Sequence, residues 1–181
     1  MQSTSLIEKT DRVLVEKYLR YRDEASFREL YRRHTPGLYA LACRLCGSET
    51  DAHDAIQDAW IRAASALSAF QWKSSLKTWL TGVLINCVRE QARKHNRDRE
   101  EPLKDDWPAE VAELPGEKLN FEQAIGRLPD GYRQVLTLHD VEGYTHEEIS
   151  VLLDISVGTS KSQLHHARRA IKTLFLGEQS R

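Results

Sequence analysis

Hydroxyls, imidazoles and cations recur every three or four residues between Thr159 and Lys172, in TSKSQLHHARRAIK. Thr159, Lys161, Ser162, His165, Arg168 and Arg169 fall outward if this stretch is a helix, and such groups neutralise phosphates and hydrogen-bond base edges without making or breaking a covalent bond. From Ile155 to Gly177 there is no Asp or Glu, the footprint of a surface that lies against a nucleic-acid backbone. Covalent chemistry lacks its usual patterns: there is no Gly-rich phosphate loop, no H-E-x-x-H and no recognisable nucleophile motif. His165 and His166 are adjacent, so they point about 100 degrees apart on a helix and cannot share one metal ion unaided. Cys43 and Cys46 form a lone C-x-x-C with no second pair, and Cys87 makes the count odd, as expected of buried thiols in a reducing compartment. No catalytic residue, metal ligand or cofactor is expected.

The basic stretch needs elements that present it. Thr145 and Glu148 have the spacing of a capping box, so a helix begins there with Ile149, Leu152 and Leu153 on one face. Asp154 tolerates the left-handed backbone of a tight turn, and Ser156 can cap the next helix. That second helix buries Val157, Leu164, Ala167 and Ile171 and leaves the polar set outside, a helix-turn-helix. Upstream, a short helix over Phe121 to Leu128, a turn at Pro129, Asp130 and Gly131, and a helix over Tyr132 to Val141 supply its floor.

The first half reads as helices over Asp11 to Arg22 and Glu24 to Tyr31, a new start at Pro36, and an end at Gly47. Ala52, Ala55, Ile56, Ala59, Trp60 and Ala63 then form an apolar stripe opposite Asp51, Asp54, Gln57, Asp58 and Arg62. An acidic face beside exposed apolar groups suits the docking of another helix. After Phe70 comes a polar loop, QWKSS, and then a helix over Leu76 to Lys94 with Trp79, Leu80, Val83, Leu84 and Val88 at core spacing and a basic end. Groups of this kind around one loop stack unpaired bases and neutralise phosphates.

The fold class is all-α, in two small helical domains, residues 1–97 and 119–181, joined by a flexible acidic linker over 98–118. From Asp98 to Glu122 nine acidic residues face three basic ones, and Pro102, Pro108 and Pro115 break any regular element. The whole chain carries a net charge of −1, so any nucleic-acid role rests on local patches. No apolar run approaches the roughly 20 residues that span a bilayer, and the amino terminus lacks an apolar signal core, which predicts a cytoplasmic protein without membrane insertion.

DAHDAIQDAWIRAASALSAF with SSLKTWLTGVLINCVREQARK, and LPDGYRQVLTLHDVEGYTHEEISVLLDISVGTSKSQLHHARRAI, resemble regions two and four of a bacterial RNA polymerase sigma factor of the extracytoplasmic-function (ECF) type. The resemblance covers nearly the whole chain. It implies a promoter-specificity subunit that works with core RNA polymerase, docking on the clamp helices of the largest subunit through Asp54, Gln57, Asp58 and Ile61 and on the beta flap. It implies minus-10 recognition, with a flipped base in the loop Lys73, Ser74 and Ser75, backed by Asn86, Arg89 and Arg93. It implies minus-35 recognition by Thr159, Lys161, Ser162, His165, His166 and Arg169, and control by an anti-sigma factor. Where relatives read VKSRLHRAR this chain has SKSQLHHAR, so Ser160, Gln163 and His166 replace an apolar residue and two arginines, and Gln can read adenine edges. A free-standing helix-turn-helix regulator with an amino-terminal sensor domain is the other reading of the same residues.

Overall fold

The structure, a computed structural model, describes residues 2–46, 48–97 and 120–176. Among the described residues there are eight α-helices and no strand. The linker expected over 98–118, and the helix end expected at Gly47, lie outside the described residues.

The first domain is built from α1 (Gln2–Tyr21), α2 (Glu24–Cys46), α3 (Glu49–Ala66), a 3-10 turn over Leu67–Ala69, and α4 (Leu76–Arg97). The expected new start at Pro36 is a correction: α2 runs through Pro36 without a break. A proline inside a helix forfeits one backbone hydrogen bond. Here Leu30 on one side and Leu38, Leu41 and Leu45 on the other are buried against the same core, so packing holds both halves in line. The small residues Ala52, Ala55, Ala59 and Ala63 let α3 approach α2 and α4 closely. Leu76, Leu80, Leu84, Ile85 and Val88 of α4 close that core.

Two polar clamps fix the order of these helices. Asp11 of α1 is only 2% exposed; Arg33 Nη1 donates to its Oδ1 at 2.8 Å, and His34 Nε2 lies 3.0 Å from its Oδ2. Across α3 and α4, Arg62 donates to both oxygens of Glu90 at 2.7 and 2.6 Å, a pair that holds the Glu90 carboxyl below its ordinary range. Cys46 is buried enough that its thiol is pushed up to about 12, so it stays protonated and unreactive near neutral pH. Among the described residues no group of three His, Cys, Asp or Glu side chains is placed to hold a metal ion.

The second domain holds α5 (Phe121–Gly126), α6 (Asp130–Leu136) with a π-helical extension over Thr137–Val141, α7 (His146–Leu153) and α8 (Val157–Leu176). Asn120 and Gln123 form a capping box on α5, a signal the sequence carried in its N-x-x-Q spacing. The extension ends when Glu142 N–H donates back to Thr137 and Gly143 takes a positive φ of 78°, a conformation open to glycine at little cost.

The two domains share one continuous apolar cluster. Arg44 of α2 donates to Glu122 at 3.2 Å and lies 4.0 Å from Glu142, while Lys77 of α4 donates to Glu142 at 3.2 Å. Leu152 of α7 presses on α4 where Gly82 has no side chain, and a Cβ there would lie 3.4 Å from Leu152 Cδ2.

Candidate nucleic-acid and partner interfaces

The helix-turn-helix forms as its local chemistry dictates. Thr145 and Glu148 cap each other's backbone N–H groups, Asp154 turns the chain at φ 54° and ψ 51°, and Ser156 Oγ accepts from Thr159 N–H at 2.9 Å. Leu164, Ala167 and Ala170 anchor the inner face of α8, and half-buried Val157 and Ile171 flank them. Thr159, Lys161, Ser162, His165, His166 and Arg169 are all exposed. At 100 degrees per residue these six fall on one arc of roughly 160 degrees.

Not every polar residue of α8 is available. Arg168, expected outward, donates to both oxygens of Asp140 at 2.9 and 2.6 Å, and that guanidinium holds the Asp140 carboxyl below the usual carboxylate range. It ties α8 to the π-helical turn instead of facing a ligand. Ser160 is fully buried, with its Oγ 2.9 Å from His146 Nδ1, so its replacement of an apolar residue changes an internal contact between α7 and α8. Gln163, expected to read a base edge, is half-buried and lies over Gly131, where a Cβ would meet its Nε2 at 2.9 Å. Its amide faces α6, not the outer arc. His166 stacks on Tyr132 with ring centroids 5.8 Å apart.

Partial burial, then the neighbouring His139 ring at 4.6 Å, lowers the His146 pKa below its ordinary 6.5. A lowered folded-state pKa means that the unfolded chain takes up a proton first as pH falls through 6.5, so the domain loses stability on that side. An NMR titration is expected to place the His146 midpoint below that of an exposed histidine, with a thermal midpoint lower at pH 5.5 than at pH 7.5. A normal midpoint for His146 would remove this contribution.

A second face lies on α3. Asp54, Gln57, Asp58 and Ile61 are exposed, and Ile61 keeps 66% of its surface in solvent. Their i, i+3, i+4, i+7 spacing places them in a stripe about 100 degrees wide. It is an apolar residue framed by two carboxylates.

The third region is the loop into α4. Ser75 caps α4, its Oγ accepting from Thr78 N–H at 3.1 Å and pairing with Thr78 Oγ1 at 2.9 Å, while Lys73 and Ser74 stand exposed. Asn86 is exposed on the same side of the helix, but eleven residues beyond Ser75 amount to about 16 Å along the axis. Asn86, half-buried Arg89 and exposed Arg93 continue that side at i, i+3 and i+7. Loop and helix thus form a long strip and do not converge on one pocket. Sequence reasoning left Trp72 without a place. It sits in the left-handed backbone region at φ 56°, packed on Phe70 at 4.7 Å, with the Arg12 guanidinium 4.9 Å from its ring centroid. The F-x-W spacing, with Trp79 seven residues on, was the signal available.

Comparison with known proteins gives these faces a common context. Residues 30–98 match the family model described as Sigma-70 region 2, and residues 118–171 match Sigma-70, region 4. The chain is 30% identical over 178 residues to the ECF RNA polymerase sigma-E factor of Escherichia coli K12, covering 90% of this chain and 92% of that protein. It is also 30% identical over 156 residues to the ECF RNA polymerase sigma factor SigE of Mycolicibacterium smegmatis, covering 81% of this chain but only 60% of that longer protein. Among solved structures it is similar to the sigma factor RpoE of Bartonella quintana, crystallised with the anti-sigma factor NepR, at TM-score 0.65 and 26% identity over 82% of this chain and 96% of that one. With two sigma-70 regions in order along one all-helical chain, the protein belongs to the ECF family of RNA polymerase sigma factors.

Proposed function

We propose that this sigma factor joins core RNA polymerase and selects promoters without covalent chemistry of its own. The division of labour is residues 1–97 for polymerase and the minus-10 element, 98–118 as linker, and 119–181 for the minus-35 element. Asp54, Gln57, Asp58 and Ile61 meet the clamp helices, and the carboxy-terminal domain meets the beta flap. Lys73, Ser74, Ser75, Asn86, Arg89 and Arg93 follow the minus-10 strand. Thr159, Lys161, Ser162, His165, His166 and Arg169 read the major groove at minus-35. The observation that carries this reading is the presence on one chain of two exposed faces of opposite character, the acidic stripe around Ile61 and the acid-free arc of α8. One suits a basic protein partner and the other a phosphate backbone. Like the related RpoE, which is held by NepR, the chain is controlled by an anti-sigma factor and works in the cytoplasm.

Transcription from a promoter library with purified core polymerase tests this directly, and absence of sequence-selective initiation overturns it. Tight, selective duplex binding by the chain alone would favour the free-standing regulator instead. Within this reading, Lys161→Ala should reduce the slope of log affinity against log salt by about 0.9, the share of one phosphate contact. An unchanged slope would place Lys161 off the DNA. Asn86→Ala is expected to change preference at one minus-10 base while core-polymerase affinity stays as it was; equal loss on all promoters would make Asn86 a structural residue.

A further inference from the structure

Resting on the promoter reading above, we propose that Tyr132 is a positioning residue for base recognition: it holds the His166 ring on the outer arc of α8 so that an imidazole N–H donates to N7 of one purine in the minus-35 element. The contact joins two helices. Tyr132, in the first turn of α6, is half-buried and packs against the apolar core, while His166 is exposed. Their rings lie 16° from parallel with centroids 5.8 Å apart, the geometry of an offset aromatic stack. The His165 ring stands nearly perpendicular to His166, at 76° and 5.6 Å, so two neighbours limit how the imidazole can turn. One turn earlier on α8, Gln163 lies so close over Gly131 that a Cβ there would meet its Nε2 at 2.9 Å. Gly131 and Tyr132 thus form a shelf under positions 163 and 166: the glycine lets α6 and α8 approach, and the tyrosine supplies a flat face.

Three features set this stack apart from ordinary packing. An exposed histidine on a helix turns among rotamers and must be ordered when it binds, whereas a ring already stacked on a core-anchored tyrosine has lost that freedom in advance. His166 comes four residues after exposed Ser162 and three before exposed Arg169, which places it in line with both on the outer face. The arc carries no carboxylate, so it offers mainly donors, and a neutral imidazole adds one N–H to them. In the major groove adenine and guanine both present N7 as an acceptor. His166 therefore distinguishes a purine from a pyrimidine, and Tyr132 makes that reading directional without touching the DNA itself.

The test uses the full chain bound to core polymerase and a promoter duplex from a mapped start site, in which each purine of the minus-35 element is replaced in turn by its 7-deaza analogue. Wild type is expected to bind about fivefold more weakly at one position, the effect of one lost hydrogen bond. His166→Ala should show no penalty at that position. Tyr132→Leu should reduce the penalty to below about twofold, because an undirected imidazole has to be ordered on binding. Tyr132→Phe keeps the stack and should keep the penalty. Double Tyr132→Leu/His166→Ala should bind as His166→Ala does, and the salt slope and the affinity for core polymerase should be the same in all variants. A full 7-deaza penalty in Tyr132→Leu would overturn the proposal, and so would a wild type indifferent to 7-deaza at every position. A double variant that falls below His166→Ala by as much as Tyr132→Leu falls below wild type would overturn it too, since Tyr132 would then act through the fold and not through His166. Failure of the wild type to initiate selectively is a different result, one that removes the promoter reading itself.

Discussion

Asp11→Ala is expected to destabilise the first domain by about 3 kcal/mol, at the lower end of what breaking a buried ion pair costs. The carboxylate is almost sealed from solvent and is the meeting point of Arg33 and His34, the groups that hold α1 against α2. Removing it leaves two donors facing an apolar gap. Arg33 retains Glu29 at 3.2 Å and is itself 26% exposed, which is why the loss stays at that lower end. For a chain of this size such a change lowers the thermal midpoint by roughly 6 to 12 °C. Asp11→Asn keeps an acceptor in place and should lose about half as much. Calorimetry on both variants gives the comparison; a shift below 2 °C in Asp11→Ala would mean that α1 contributes little to the domain.

Ile61→Arg should weaken binding to core polymerase by about 100-fold, or roughly 2.7 kcal/mol, while the folded chain melts within a degree or two of wild type. Ile61 is already two-thirds exposed in the free chain, so its replacement removes little internal contact. In the complex two effects add. Burying an isoleucine side chain contributes about 1.5 to 3 kcal/mol. On the proposed docking face the neighbouring Asp54 and Asp58 suit a basic partner, against which a new cation is repelled. A fluorescence-anisotropy titration of labelled chain with core enzyme measures the change. Unaltered affinity would place the polymerase contact on another face.

Local chemistry was legible in the sequence and distant pairing was not. The capping box at Thr145, the left-handed turn at Asp154 and the cap at Ser156 each depend on groups within three or four residues, and each forms as expected. So does the outward arc of α8, because helical periodicity alone fixes it. Pro36 was misread as a boundary because its local penalty is outweighed by leucines buried on both sides of it. Arg168 looked like a phosphate ligand because its partner, Asp140, is 28 residues away in sequence. Ser160 stood out only as a hydroxyl in place of an apolar residue, because nothing near it reveals His146 on the preceding helix. Trp72 was read only as the aromatic of the base-stacking loop QWKSS, and its packing was not legible because it involves Arg12, sixty residues earlier.

Glu142 draws cations from both α2 and α4, and so ties the helix-turn-helix to the first domain. Length then becomes decisive. The longest helix, α2 with 23 residues, measures about 35 Å. Promoter elements centred 25 base pairs apart lie about 85 Å from each other along B-form DNA. If the two domains read minus-10 and minus-35 as proposed, a chain closed in this way reaches one element at a time, and it reads both only after the contacts of Arg44 and Lys77 with Glu142 have parted. Dye pairs on α3 and α8 are expected to separate when holoenzyme forms, and to separate little in salt alone, because the Glu142 carboxylate is only 15% exposed. On the proposed division of labour, how far the two domains can part then sets how far apart two promoter elements can stand and still be read by the same molecule.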